Sequence, residues 1–303
     1  MTTNPRLPDQ PENAGSEAAP DQPNNSEMAQ GQDAMPGGDV AAPERFAQRT
    51  LESAWQSRIP FLPVPPTERP VKWTSQDVWQ SIIVLVTTIV ALFITISIVV
   101  IIISIWSNFD ETAATPFLLL LNQVPQAAML GLVIYFVILR ERGWLSDLGF
   151  HSIPWRQLGI IAVVGALALW AVVIIYTLGA QAVGLDFLVP PDLPPEFASG
   201  VPIIIILFVS TVLVAPVVEE MYFRGFAYPA LRDRYGAPVA ALITSGLFGL
   251  AHISFGLIIP LSIVGLILLA AFRLTGSLWA NIGIHMLYNL TVVIAFLALT
   301  WYA

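Results

Sequence analysis

From about residue 79 onward the chain alternates between long apolar runs and short polar connections. Residues 80–106 contain no charged side chain, and about 20 apolar residues are enough for a helix to cross the hydrocarbon core of a bilayer. The pattern predicts about seven such helices, or eight if a re-entrant piece lies among them. The expected limits are 79–106, 115–139, 157–183, 201–223, 237–255, 257–273 and 277–300. The predicted fold class is therefore all-α, a polytopic transmembrane helix bundle.

Three places in this pattern leave the layout open. The second segment contains "NQVPQ" (122–126), where the proline can kink a helix. The join at 253–257 is so short that segments five and six could be one broken element. The fourth helix need not stop at 223, because apart from one proline no strong breaker occurs before Gly236. That helix can continue to about Tyr235, turn at Gly236 and return as segment five.

Residues 1–72 have a different composition, rich in Pro, Gln, Asn, Gly, Asp and Glu with few large apolar side chains. Such a segment buries too little apolar surface to offset the entropy lost on ordering. We therefore predict two regions: a disordered cytoplasmic tail over 1–72 and a transmembrane helical domain over 73–303.

Composition and charge narrow the function classes. Only 11% of the residues are charged, against about 25% in soluble domains. The absence of cysteine excludes disulfides, Cys-ligated zinc and a thiol nucleophile, and no basic patch indicates nucleic acid. Lys and Arg lie before the first segment and then in every second connection. By the positive-inside rule this places the N-terminus in the cytoplasm, and we expect the plasma (inner) membrane.

Polar side chains that can carry chemistry occur within the last four apolar segments. Ionisable residues at membrane depth usually face the bundle interior or a wet cavity, and are functional candidates by default. If the chain folds back at Gly236, Glu219 and His252 both lie roughly 25 Å from the turn and become neighbours, provided that both arms are continuous. The candidates are Glu219, Glu220, Arg224, His252, His285 and Asn289.

The spacing of these residues suggests a division of labour. Glu220 and Arg224 are four residues apart in the favourable order for a helical ion pair, so we expect a structural pair. That leaves Glu219, on a neighbouring helical face, as the carboxylate free to act as a general base on water. His285 and Asn289 are also four residues apart and share one helical face.

Three short motifs in this region resemble those of the CPBP family, the type II CAAX prenyl endopeptidases and their bacterial relatives, often called Abi proteins. The motifs are "EEMYFRG" (219–225), "FGLAH" (248–252) and "HMLYN" (285–289), in the family order, and the resemblance extends over about 140–300. It implies an intramembrane endopeptidase. Glu219 would activate water with Glu220 and Arg224 as motif partners, His252 and His285 would orient that water, and Asn289 would stabilise the oxyanion.

The resemblance leaves the catalytic type open between a metalloprotease and a glutamate-driven enzyme without metal. Glu219, His252 and His285 are the metal ligands it implies, for Zn²⁺ or another divalent ion, since two His and one Glu leave a position for water. The HExxH motif, which would make zinc more secure, is absent. The expected partners are membrane lipid and a membrane-associated peptide or protein.

Two other function classes stay open from the sequence. A non-catalytic Abi-type immunity or membrane-binding protein could keep the same scaffold without turnover. A proton-coupled transporter also uses intramembrane Glu and His, but it predicts inverted repeats, and none is evident in the sequence. Taken singly, each histidine could be a packed core residue, and Asn289 could be a contact between helices.

Overall fold

The computed structural model of the chain describes residues 70–106, 119–121 and 123–302. The described residues belong to one compact unit, Leu51–Ala303. The predicted disordered tail lies outside the described residues, except for its last three positions. Asn122, in the predicted kink of the second segment, lies outside them as well.

Seven apolar helices, numbered α1 to α7 in chain order, account for most of the described residues, which contain no β-strand. Six of them are long and apolar enough to cross a membrane, and α5 is a shorter apolar helix. The all-α transmembrane bundle predicted from the sequence is thus confirmed. The helices are α1 (Ser75–Trp106), α2 (Leu119–Arg140), α3 (Trp155–Ala182), α4 (Val201–Tyr235), α5 (Ala237–Leu250), α6 (Phe255–Thr275) and α7 (Leu278–Tyr302).

Helix α4 runs unbroken past the two glutamates, as the lack of strong breakers predicted. It ends at Tyr235 because Gly236 adopts φ 81°, a left-handed backbone conformation that glycine adopts without steric cost. The chain then reverses into α5, which packs along the last turns of α4. This turn is the one that the sequence placed at Gly236.

Within the continuous helix α4, two stretches are π-helical, Val209–Val214 and Met221–Ala227, and they flank Ala215–Glu220. Each contains the carbonyl four residues before a proline, Pro216 or Pro229, which has no N–H to donate. The wider π turns let backbone groups freed by proline find other partners within the helix. Such turns occur often at functional sites, and the sequence analysis did not predict them.

Helix α5 ends earlier than the predicted segment 237–255. It has 14 residues, or about 21 Å of helix, less than the hydrocarbon core of about 30 Å. Segments five and six are two helices separated by a sharp reversal, in which Ile253 takes a positive φ of 51°. Their backbones approach so closely that a Cβ on Gly249 would collide with the Ile258 carbonyl oxygen.

The end of the predicted tail is tied to the helical body. The Val71 N–H donates to an Asp233 Oδ2 at 3.0 Å, and the Trp73 indole donates to the Phe226 carbonyl at 2.8 Å. Trp73 is buried. These contacts attach the start of α1 to the C-terminal part of α4.

Candidate active site

The two adjacent glutamates of α4 are buried, Glu219 with 8% and Glu220 with 0% of the residue surface exposed. Neighbouring helix positions point about 100° apart, so the two carboxylates have different sets of neighbours. Glu220 contacts Asn281 and His285 of α7, whereas Glu219 contacts Gln126 of α2 and lies near His285 of α7. Their surroundings must therefore be considered separately.

Glu220 is surrounded by partners. Its Oε1 accepts a hydrogen bond from Arg224 at 2.8 Å and lies 3.1 Å from His285 Nδ1, while its Oε2 accepts from Asn281 Nδ2 at 3.0 Å. The ion pair predicted between Glu220 and Arg224 is confirmed. A fully buried carboxylate with a cation and two further partners is satisfied in place, so this residue acts as a hub that fixes α4 against α7.

The guanidinium of Arg224 is itself held on three sides. Besides Glu220 it donates to the Gly265 carbonyl of α6 at 3.0 Å. It also lies 4.6 Å from the centre of the Phe248 ring, within reach of a cation–π contact. A Cβ on Gly265 would meet Ser245 at 3.0 Å, so glycine there lets α5 and α6 approach closely beside the arginine.

Glu219 has fewer partners. Its Oε1 accepts a hydrogen bond from Gln126 Nε2 on α2 at 2.8 Å. Its Oε2 is buried without a hydrogen-bond partner among the described residues and lies 4.0 Å from His285 Nε2. One carboxylate oxygen is therefore fixed and the other faces an imidazole nitrogen across a gap too wide for a direct hydrogen bond.

His285 lies between the two carboxylates, which orients its ring. Because Glu220 is an acceptor, the contact at Nδ1 requires that this nitrogen carry the proton. In the neutral imidazole Nε2 is then the acceptor, and it is the nitrogen that faces Glu219. The arrangement presents two acceptors, Glu219 Oε2 and His285 Nε2, that a single water molecule could bridge with its two hydrogens.

His252 does not lie within α5, because the helix ends two residues earlier. The condition of two continuous arms, on which the count from Gly236 depended, is therefore not met. Its side chain is exposed, and its Nδ1 lies 2.9 Å from the Phe248 carbonyl oxygen. Its ring packs on the Phe248 ring with centroids 5.3 Å apart, and the His285 ring packs on the same phenylalanine at 6.0 Å. Phe248 is thus the residue of the second motif that contacts His285 directly.

Asn289 lies one helical turn beyond His285 on α7 and is half-buried. Its Nδ2 donates to the Thr211 carbonyl at 2.8 Å, in the first π-helical stretch of α4. The side chain therefore makes the kind of contact between helices that the sequence left open. A carboxamide carries two N–H donors, so this contact leaves one of them.

The predicted metal set is only partly assembled. Two ligands of a tetrahedral zinc ion, each about 2.0–2.2 Å from the metal, lie about 3.4 Å apart, which is shorter than the 4.0 Å between Glu219 Oε2 and His285 Nε2. Moreover, in the part of the chain that the structure describes, no group of three or more His, Asp or Glu side chains is arranged to hold a metal ion. His252 does not complete a set of three with these two, and the metal stays a prediction.

Two residues of this site were missed by the sequence analysis, Gln126 and Asn281. Gln126 belongs to α2, far from the motifs, and nothing in the sequence connects it to Glu219. Asn281 offered a signal, because it lies four residues before His285 and so on the same helical face. A polar side chain in register with a motif histidine could have been included on that ground.

Comparison with known proteins identifies the group to which this site belongs. Residues 201–291, which include all six predicted site residues, match the family model described as "Type II CAAX prenyl endopeptidase Rce1-like". An Escherichia coli protein named "Uncharacterized 24.3 kDa protein" is 32% identical over 158 residues, covering 50% of this chain and 70% of that protein. The chain belongs to the Rce1-like family of type II CAAX prenyl endopeptidases.

A second relative of this Rce1-like chain carries a functional name. The "Putative membrane peptidase YdiL" of Bacillus subtilis (strain 168) is 30% identical over 99 residues, 33% of this chain and 39% of that protein. No solved structure matches the chain. The family and this relative support a membrane-embedded peptidase. Gln126 lies outside the matched residues, so the carboxylate that the motifs single out receives a hydrogen bond from a helix beyond them.

Proposed function

We propose that this chain is an intramembrane endopeptidase that hydrolyses a peptide bond in a membrane-associated substrate, with Glu219 as the general base. The observation that carries the proposal is the pair of facing acceptors. Glu219 Oε2, buried and unpartnered among the described residues, lies 4.0 Å from His285 Nε2. Glu220 holds the other nitrogen of that imidazole.

The proposed reaction begins with a water molecule that donates one hydrogen to Glu219 and one to His285. Its lone pairs then face the substrate, and as its oxygen attacks the scissile carbonyl carbon, Glu219 takes the proton. The carbonyl becomes an oxyanion, for which Asn289 supplies its second N–H, a contribution of about 3 kcal/mol in other proteases. Glu219 then gives its proton to the leaving nitrogen, the C–N bond breaks, and a carboxylic acid and an amine result.

His252 takes a supporting role in this proposal. Its Nδ1 is engaged with the Phe248 carbonyl, which leaves Nε2 as the atom that can bond the water or the substrate. Phe248 packs on both histidine rings and on Arg224. It therefore couples the position of His252 to the Glu220 hub.

The test is cleavage by the purified full-length chain in liposomes, with a library of membrane-anchored peptides and detection of new termini by mass spectrometry. We expect the wild type to cut members of the library and Glu219→Gln to cut them at least about 100-fold more slowly. Glu196→Gln, a change at an exposed carboxylate in the α3–α4 connection, is the matched control and should cut like the wild type.

Other outcomes of this experiment identify the alternatives. Peptide binding without cleavage by the wild type would indicate the non-catalytic Abi-type protein, and proton-dependent flux would indicate a transporter. Metal analysis of the pure protein, together with cleavage in the presence and absence of a chelator, tests the Zn²⁺ prediction. Loss of cleavage on chelation and its return with Zn²⁺ would overturn the metal-free form of the proposal.

We also propose that the N-terminus faces the cytoplasm at the plasma membrane, as the distribution of Lys and Arg favours. The chain contains no cysteine, so single cysteines can report orientation. Ser146→Cys between α2 and α3 should be shielded from a membrane-impermeant maleimide in intact cells, whereas Ser199→Cys between α3 and α4 should react. The reverse labelling pattern would contradict this orientation.

A further inference from the structure

Gln126 connects α2 to the catalytic carboxylate proposed above. Its Nε2 donates to Glu219 Oε1 at 2.8 Å, across 93 residues of sequence. Gln126 is half-buried and lies outside the region that matches the family model. This hydrogen bond leaves Glu219 Oε2 as the oxygen directed toward His285, so Gln126 determines which carboxylate oxygen can meet water.

The other end of the same carboxamide has no partner. Gln126 Oε1 and Glu219 Oε2 are both buried, and neither has a hydrogen-bond partner within the described residues. Both atoms are acceptors, and a buried acceptor without a donor is costly, most of all where lipid replaces water. The two oxygens therefore favour ligands that bring N–H or O–H donors. A water molecule and a peptide backbone are two such ligands.

A cavity of about 470 Å³ lies between α2 and α4 and reaches Gln126. Its walls are almost entirely apolar, with side chains such as Leu120, Leu130, Ile205 and Val218. An extended peptide could place apolar side chains against these walls while its backbone meets the one carboxamide next to Glu219. The cavity therefore gives room for a peptide beside the Gln126 side chain.

We propose that Gln126 is a substrate-positioning residue for peptide hydrolysis. Its Nε2 holds Glu219, and its Oε1 accepts a hydrogen bond from a backbone N–H of the substrate near the scissile bond. This inference rests on the proposed function, and it adds a residue from α2 that neither the motifs nor the family match includes.

The chain offers a matched control for the test. Gln123 lies on the same helix and lines the same cavity, but its Nε2 donates to the Leu119 carbonyl within α2. Methionine has nearly the shape of glutamine without its polar atoms. Gln126→Met should therefore remove both proposed contacts, whereas Gln123→Met should change the cavity wall to a similar extent and leave Glu219 untouched.

The first measurement uses the peptide that the wild type cleaves best in the library. We expect Gln126→Met to lower kcat/KM by about 10- to 100-fold, with both a lower kcat and a higher KM, because it removes two hydrogen bonds of ordinary strength. Gln123→Met also changes the wall of the proposed peptide cavity, so we expect a smaller change in kcat/KM, through KM alone. Equal values for the two variants would overturn the proposal.

A second measurement tests the contact between Oε1 and the substrate. The same peptide is methylated at one backbone nitrogen at a time, which removes one N–H. At one position near the scissile bond the wild type should lose about 10-fold in kcat/KM, and Gln126→Met should lose little more, since coupled partners are non-additive. If every position gives the same penalty in both proteins, Oε1 does not contact the substrate.

A third measurement does not depend on turnover. Dicyclohexylcarbodiimide partitions into bilayers and adds to carboxyl groups: the carboxyl oxygen bonds to the carbodiimide carbon and the proton moves to its nitrogen. We expect Gln126→Met to increase the adduct at Glu219 by at least about threefold, because the glutamine no longer covers Oε1 of Glu219. Gln123→Met should not increase it, and Glu219→Gln should abolish the adduct.

Cleavage and carbodiimide labelling together separate failure of this inference from failure of the proposed function. If the wild type cleaves peptides through Glu219 but Gln126→Met changes neither cleavage nor labelling, the inference is wrong and the function stands. If the wild type cleaves nothing, the function fails, and the labelling still decides whether Gln126 holds Glu219.

Discussion

The two sides of α4 at the double glutamate differ sharply in how well their polar atoms are paired. On the Glu220 side one carboxylate is held by Arg224, His285 and Asn281. On the Glu219 side, one oxygen has Gln126 and the other has no partner among the described residues. The chain places one fully paired and one partly paired carboxylate at consecutive positions of the same helix.

This difference in pairing is the basis for the separate roles that we propose for the two carboxylates. A buried carboxylate such as Glu220 is suited to fixing helices, because both of its oxygens are already engaged. A base must instead keep a lone pair for the proton that it removes. His285 joins the two sides, since Glu220 fixes its Nδ1 and thereby turns Nε2 toward Glu219.

The largest expected effect separates the two glutamates by activity and stability. We expect Glu219→Gln to lower the cleavage rate by about 10²- to 10⁴-fold, the range for loss of a general base, with little change in unfolding free energy. Glu220→Gln should lower both the rate and the stability. The measurements are single-turnover cleavage and unfolding by SDS titration in mixed micelles, and a stability loss confined to Glu219→Gln would reverse the assignment.

The next prediction concerns Arg224, the cation that pairs with Glu220. Arg224→Met should cost about 3–5 kcal/mol of unfolding free energy, because it leaves Glu220 as an uncompensated buried charge. Lys72→Met is the control. Its partner Asp147 lies 3.7 Å away and both side chains are substantially exposed, so its loss should cost about 0–1 kcal/mol. Comparable losses in the two variants would show that the Glu220 hub is solvated.

A double variant sharpens the same point. Adding Glu220→Gln to Arg224→Met removes the stranded charge, so the double variant should be more stable than Arg224→Met alone, by about 1–3 kcal/mol. The measurement is the same SDS titration on all four proteins of the cycle. Additive losses would mean that the two side chains do not interact, contrary to their 2.8 Å hydrogen bond.

The smallest expected effect distinguishes two asparagines on one face of α7. Asn281→Leu should cost about 1–3 kcal/mol, because a buried Glu220 oxygen loses its donor. Asn289→Leu should cost about 1 kcal/mol, since it breaks one half-buried hydrogen bond to a backbone carbonyl. The comparison uses SDS titration, and a larger loss for Asn289 would place the structural hub at the other end of this face.

Much of the fold followed from the apolar pattern. A run such as 80–106 must form a helix in a bilayer because its backbone polar groups can be satisfied only internally. The turn at Gly236 was predictable because it is the strongest breaker after the double glutamate. The Glu220–Arg224 pair was predictable as well, since a spacing of four residues brings side chains together within one helix, whatever packs around it.

Other features depended on packing and were not predictable. Helix α5 is shorter than its apolar segment because the reversal before α6 brings the two backbones together at Gly249. The π-helical stretches around Ala215–Glu220 depend on how the carbonyls before two prolines find partners. His252 consequently lies on a turn rather than on a helical arm, which the linear count from Gly236 did not anticipate.

By itself, the sequence determined that this protein is a helical membrane protein with a carboxylate, imidazole and carboxamide motif set, because hydrophobic length and helical spacing are local properties of the chain. Only the tertiary structure decided which glutamate is paired and which keeps a free oxygen. That choice depends on Gln126 of α2 and Asn281 of α7, whose distances from α4 are set by helix packing and not by their separation along the chain.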